Sequence, residues 1–206
     1  MAFAAATVPL PSWITTWVLV ATTLVSIDCV YLLSMKFGRP EYMPSVLAEL
    51  WQWYGESDAQ YSGDGVGMQE GNGWVETQSI FNVFEVIGML IYLFALRRQS
   101  IAAALTILTV SVATFWKTAM YMCIIFNSND PVKMVPLLAC AGIAPRPENT
   151  VHVATLLAAE NCETQFFKFQ FNFWWLVMPL AVIWTSWTAI ARALADRSTN
   201  VKAKAA

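Results

Sequence analysis

Four stretches of this chain are nearly pure hydrocarbon, and each is long enough to cross a bilayer core of about 30 Å. They run roughly over Trp13–Met35, Gln78–Leu96, Ile101–Phe126 and Phe167–Leu194. The pattern predicts an all-α fold, a polytopic membrane bundle of four transmembrane helices forming one domain over 1–206. The few polar positions inside these runs recur at helical spacing. In GNGWVETQSIFNVFEVIGMLIYLFALRR (71–98), about 100° per residue puts Gln78, Asn82 and Glu85 on one face. Glu76 falls on the opposite face, with Ser79 and Val83 beside it. A carboxyl group in hydrocarbon is costly unless it is neutral, partnered or turned towards a polar cavity, so other helices must pack around this one. In the third run, Thr114, Lys117, Thr118 and Tyr121 form a single polar stripe by i, i+3, i+4 spacing. In the fourth, Asn172 and Trp175 are three apart and share a face.

The segments between spans carry their own signals. Arg97 and Arg98 fall in the short second connection, and Arg192, Arg197, Lys202 and Lys204 flank the last span. The positive-inside rule makes that side cytosolic, with both termini there and 195–206 as a basic tail. The first lumenal loop, Lys36–Val75, contains PSVLAELWQWY (Pro44–Tyr54), which reads as a short interfacial helix, followed by a Gly-rich acidic cap. The second lumenal loop, Asn127–Gln165, has four prolines, which argue against a long helix through it, although Val151–Ala159 suits a short helical turn. Cys140 and Cys162 both lie in that loop, and the sequence leaves open whether they are bonded. Cys29 and Cys123 lie within spans and read as core residues.

Composition agrees with a membrane protein. Of 206 residues, 57% are hydrophobic and 13% charged, against about 25% charged in average soluble domains. A net charge of −2 offers nothing to nucleic acid. The start of the chain lacks the basic n-region of a secretory signal, so the first apolar run reads as a retained helix. The single histidine, His152, lies in a loop, and no CxxC, HExxH or Walker-type motif is present; neither metal nor cofactor is expected. Ten Trp and twelve Phe are more than helix packing and interfacial belts use at each position, which leaves some to line a ligand cavity.

The polar residues also coincide in depth. Counted from the cytosolic end of each span, Glu85, Asp28, Lys117, Trp175, Glu76 and Asn172 fall within roughly 15 Å of one another at about 1.5 Å per residue. Each of the four helices supplies at least one. Lys117 is expected to meet a carboxylate, whether Glu85, Asp28 or Glu76. It could simply pin helices; alternatively, a cation keeps one carboxyl ionised while another, desolvated, stays protonated, an arrangement that suits an acid and a base acting on one substrate. An indole face beside such groups stabilises a positive centre. An apolar chamber with these groups suits protonation of an alkene, whose carbocation water would quench.

The chain resembles the emopamil-binding protein (EXPERA) family, which includes the sterol Δ8–Δ7 isomerase and the sigma-2 receptor. LWQWYGESDAQY (Leu50–Tyr61), VETQSI around Glu76, TVSVATFWKTAMY (Thr109–Tyr121) and FKFQFNFWWLVMP (Phe167–Pro179) carry the resemblance. It implies a helical bundle in the endoplasmic reticulum with a lipophilic cavity, Glu76 in the place of the catalytic glutamate, Asp28 near a second acid, and Asn172 and Trp175 as the cavity's amide and indole. Leu24 stands about where the isomerase has a histidine, Asp28 replaces a glutamate, Lys117 and Thr118 stand where the isomerase has a small residue and an acid, and Glu85 is additional. These departures point to a relative adapted to another hydrophobic polycycle, as in natural product biosynthesis.

The expected function is acid–base isomerisation or cyclisation of a terpenoid, sterol or related compound through a cationic or enol-type intermediate, without a redox cofactor. Glu76, Asp28, Glu85 and Lys117 are the expected catalytic residues; Asn172, Trp175, Ser79, Thr118 and Tyr121 are expected to bind substrate. The partners would be a lipophilic small molecule and membrane lipid, with a homodimer as an option. The alternatives are a non-catalytic sterol or lipid receptor of the sigma-2 type and a scaffold whose polar residues only pin helices.

Overall fold

The structure, a computed structural model, describes residues 7–37, 44–46, 49, 73–96, 100–127 and 162–205, with side chains over 7–33, 44–46, 49, 77–94, 96, 100–123 and 173–199. The fold is all-α, a four-helix membrane bundle. Helix α1 spans Ser12–Phe37, α2 Gly73–Leu90, α3 Ile101–Asn127 and α4 Cys162–Ala205. All four are long and apolar enough to cross a membrane, and only 22–39% of each spanning window is buried. Most of each helix surface therefore faces outward, as hydrocarbon solvent allows.

Local chemistry sets the helix ends. The backbone N–H of Ile14 donates to Pro11 O at 3.1 Å, starting α1 behind a proline whose fixed φ suits a helix entrance. Ser100 caps α3: its Oγ accepts from Ala103 N at 3.1 Å, and its carbonyl accepts from Ala104 N at 3.1 Å. Helix α2 does not end as an α-helix. It continues as a π turn over Ile91–Ala95, closed by Leu96 N–H donating to Ile91 O at 3.2 Å, and Leu96 is extended at φ −108°, ψ 146°. Threonines in the spans satisfy their hydroxyls on their own helices: Thr22 donates to Val18 O, Thr114 to Val110 O, Thr185 to Ala181 O and Thr188 to Trp184 O. With no water in the hydrocarbon, this local bond spares a costly orphan hydroxyl.

The second membrane-crossing stretch is Thr77–Phe94, close to the expected Gln78–Leu96, and its helix begins earlier, at Gly73, which places Glu76 in the first turn. Helix α4 starts at Cys162, so that cysteine belongs to a helix and not to the loop; at its other end the basic tail is helical through Ala205. At 44 residues it is about 66 Å long, more than twice the hydrocarbon thickness. Of the expected interfacial helix, only Pro44, Ser45, Val46 and Glu49 are described; Ser45, Val46 and Glu49 are helical, and all four are exposed. The acidic cap, the turn at Val151–Ala159, Cys140 and His152 lie outside the described residues.

The chain divides into two compact units, each drawing on all four helices: Met1–Asp28, Ile80–Trp116 and Leu176–Ala206 make the first, and Cys29–Ser79 and Lys117–Trp175 the second. In the first unit, the segment before α1 is part of the core. Val8 packs with Ala104 of α3 and Ile190 of α4, and Thr7 forms an isolated antiparallel bridge with Ser100. In the same unit Thr15 of α1 and Tyr92 in the π turn share a 3.2 Å hydroxyl–hydroxyl hydrogen bond, with the Tyr92 ring buried.

Helices α2 and α3 approach closely at Gly88, where an added Cβ would lie 2.5 Å from Val110 Cγ2. Valine is β-branched and stiff at χ1, so it cannot simply swing aside. Gly88→Ala should destabilise the protein by about 1–3 kcal/mol, the usual range for overpacking. Adding Val110→Ala should recover part of that loss, and a double-mutant cycle on the unfolding of the reconstituted protein would measure the coupling.

Candidate functional site

In a soluble bundle the interior is apolar; here the inward faces carry much of the polarity. Among the described residues, Ser79, Asn82, Glu85, Ser111, Thr114, Thr118 and Ser186 are all buried. The outward faces carry large apolar groups: Phe81, Phe84 and Ile87 on α2, Trp116 and Met120 on α3, and Trp184 and Trp187 on α4. A lipid-facing surface gains nothing from polar groups, while an inward one can pair them.

The first unit holds the best-defined cluster. On α2, Asn82 and Glu85 are 3% and 4% exposed and sit one turn apart. The Asn82 amide Nδ2 donates to Asp28 Oδ2 of α1 at 2.7 Å, a short bond to an ionisable oxygen. Asp28 itself is half-buried. Ser111 and Thr114 of α3 and Ser186 of α4 are buried in this unit, and Ser186 Oγ is buried without a hydrogen bond among the described residues. The bond between Asp28 and Asn82 ties these two positions of α1 and α2 together at one level.

The second unit contains the other described candidates. Thr118 and Tyr121 are buried on α3, with Lys117 half-buried beside them. The polar stripe on α3 thus faces inward as its spacing predicts, and it extends back through Thr114 to Ser111. Trp175 of α4 is half-buried. Ser79 is fully buried, and its carbonyl accepts a weak hydrogen bond from the Cys29 thiol of α1 at 3.8 Å. Pro179, one turn further along α4 and in the first unit, is buried and has no N–H to offer the helix. Glu76 and Asn172 sit in the helical backbones of α2 and α4, and their side chains lie outside the described residues.

Two sequence expectations change here. Ser79 joins Asn82 and Glu85 on the buried face, while Val83, its expected neighbour, is exposed. At about 100° per residue Ser79 lies about 60° from Asn82, well within the arc that packing partners cover. Cys123 is exposed rather than core, on the outward side of α3 with Trp116 and Met120. Sequence reasoning also missed Ser111, Ser186, Thr15 and Tyr92. For Ser186 a signal existed, since Pro179, Val182, Ser186 and Ile190 repeat at intervals of three and four along the buried side of α4.

No family model matches the chain, and neither does any curated protein or solved structure. The chain stands as a multi-pass membrane protein with polar residues buried among its spans.

The contrast between buried Cys29 and exposed Cys123 gives a direct check on these faces. In protein carrying Cys140→Ser and Cys162→Ser, a lipophilic maleimide should modify Cys123 rapidly and leave Cys29 intact until the bundle is unfolded. Mass spectrometry of tryptic fragments would read the two sites separately, and equal labelling would contradict the assignment of faces.

Proposed function

We propose that this protein is a membrane-embedded acid–base isomerase or cyclase acting on a hydrophobic polycycle such as a terpenoid or sterol. The observation that carries the reading is the Asp28–Asn82 hydrogen bond beside buried Glu85: acidic side chains from two spans are turned inward at membrane depth. Keeping carboxyl groups in hydrocarbon is costly, and such residues usually mark chemistry or transport. An apolar surround suits a carbocation, because it excludes the water that would capture it.

In this reading Glu76 protonates a ring double bond, a cation forms, and Asp28 or Glu85 takes a proton from a neighbouring carbon. Lys117 balances the carboxylate charge. Asn172 and Trp175 hold the substrate or face the cation, as the resemblance to the emopamil-binding protein family implies, and Ser79, Thr118 and Tyr121 shape the polar lining. The reaction needs no redox cofactor, since protons in and out balance. The same resemblance and the basic flanks of the spans support an endoplasmic reticulum location with both termini cytosolic.

The test is chemical. Lipids extracted from microsomes carrying the active protein should contain a product absent from microsomes carrying Glu76→Gln, and its mass should equal that of its precursor. Glu76→Gln should fold and still bind ligand while turnover falls by at least about 100-fold, the scale of a lost general acid. Retained turnover in that variant would refute the assignment. Tight binding of a lipophilic amine with no product from any lipid would favour a receptor instead.

A further inference from the structure

The net charge of −2 conceals an uneven distribution along the chain. The stretches 36–76 and 127–172 hold five basic and eleven acidic residues. The stretches 1–12, 96–101 and 192–206 hold six basic residues, Arg97, Arg98, Arg192, Arg197, Lys202 and Lys204, and a single acid, Asp196. The first unit brings these last three stretches to one end. Thr7 bridges to Ser100, and Val8 packs with Ala104 and Ile190, so the entrances of α1 and α3 and the late part of α4 share one level.

From that level α4 leaves the bundle with its charges in a definite order. Helices α1 and α3 begin at Ser12 and Ile101. Ile101 and Ala193 both pack against the Val8 cluster, which makes Ala193, next to Arg192, the point where α4 passes the ends of its neighbours. The helix runs on to Ala205, and Arg192 and Leu194–Thr199 are exposed. At about 1.5 Å per residue, Arg197 stands roughly 6 Å beyond Ala193, and Lys202 and Lys204 roughly 14 and 17 Å. In the other direction Trp187 and Trp184 are exposed on α4, roughly 9 and 14 Å inside that point. Outward tryptophans giving way to arginine within about two turns mark the passage from hydrocarbon to headgroups.

We propose that this end of the bundle is a binding surface for anionic lipid headgroups, centred on Arg192 and Arg197 together with Arg97 and Arg98. An anionic headgroup supplies the countercharge that these stretches lack, since Asp196 is their one acidic side chain. Arginine suits a lipid phosphate, because its planar fork presents two parallel N–H donors. Attraction between a charged membrane surface and a cation fades over a Debye length, about 8 Å at physiological ionic strength. Arg192 and Arg197 fall within that distance of the bundle's end, and Lys202 and Lys204 fall outside it. The two lysines therefore add little, although they belong to the same tail.

The experiment places the full-length protein in vesicles of phosphatidylcholine and phosphatidylserine, with brominated acyl chains on one lipid or the other. Bromine quenches tryptophan, so exposed Trp184 and Trp187 report which lipid adjoins this end; Trp184→Phe/Trp187→Phe gives the background from the other tryptophans. At low salt phosphatidylserine should be preferred about tenfold or more, given about fivefold per cation near the surface. High salt should remove most of that preference. Arg192→Gln/Arg197→Gln should cut it at least about fivefold, and Arg192→Lys/Arg197→Lys should keep most of it, so that the readout is charge and not folding. Lys202→Gln/Lys204→Gln should change it less than about twofold. Equal quenching by the two lipids would overturn the proposal. So would a preference indifferent to salt, or one carried by the lysine pair in place of the arginines.

Discussion

Hydrocarbon offers no hydrogen bonds, and this single constraint organises the molecule. Every polar group within a span must find its partner on its own helix or on a neighbour. Threonines take the first route, bonding to a carbonyl one turn back, as Thr22, Thr114 and Thr185 do. Asn82 and Asp28 take the second and join α2 to α1, and Tyr92 with Thr15 does the same some three turns of α2 away. The result is an inverted sorting, with Phe84 and Trp184 outward and Asn82, Glu85 and Ser186 inward. Since lipid is as apolar as leucine, exposing those aromatics carries little penalty, and the polar groups that need partners sit inward among the buried apolar side chains.

Close packing and polar pairing divide the work between helices. Gly88 lets α2 approach α3 closely at Val110, while one turn nearer the N-terminus of α2 the inward face turns polar at Glu85 and Asn82. Near the other end of α2, the segment before α1 folds back so that Val8 fills a space beside Ala104 and Ile190. Small residues, a β-branched neighbour and a half-buried hydroxyl pair thus secure one stretch of the first unit. The ionisable residues sit in another.

The spans could be read directly from the sequence because a crossing helix must be long and apolar whatever its partners. The α3 stripe was legible for the same reason in reverse: Thr114, Thr118 and Tyr121 are polar at helical spacing, and only an inward face can house them. Apolar positions carried no such information. Cys123 can face lipid or core with little difference in free energy, so its place depends on neighbours that one sequence does not reveal. Ser79 lay between two faces and was decided by packing. The start of α4 at Cys162 was masked by the proline-rich stretch before it. For Asp28 the sequence pointed to a cation among its possible partners, because charge dominates such reasoning; the hydrogen bond that fixes one of its oxygens comes from a neutral amide whose role depends on a contact between spans.

The π turn at the end of α2 has a meaning of its own. Its bond from Leu96 to Ile91 skips one residue more than an α-helical bond, so the turn stores one extra residue where the helix gives way to the connection before Ser100. Upstream, Gly73–Leu90 keeps regular phase, and Asn82 and Glu85 with it. Gain or loss of a residue in this region can therefore be absorbed by widening or tightening one turn, leaving the orientation of the acidic face untouched. The turn acts as an expansion joint, and the length of the second connection is free to drift while the interior stays in register.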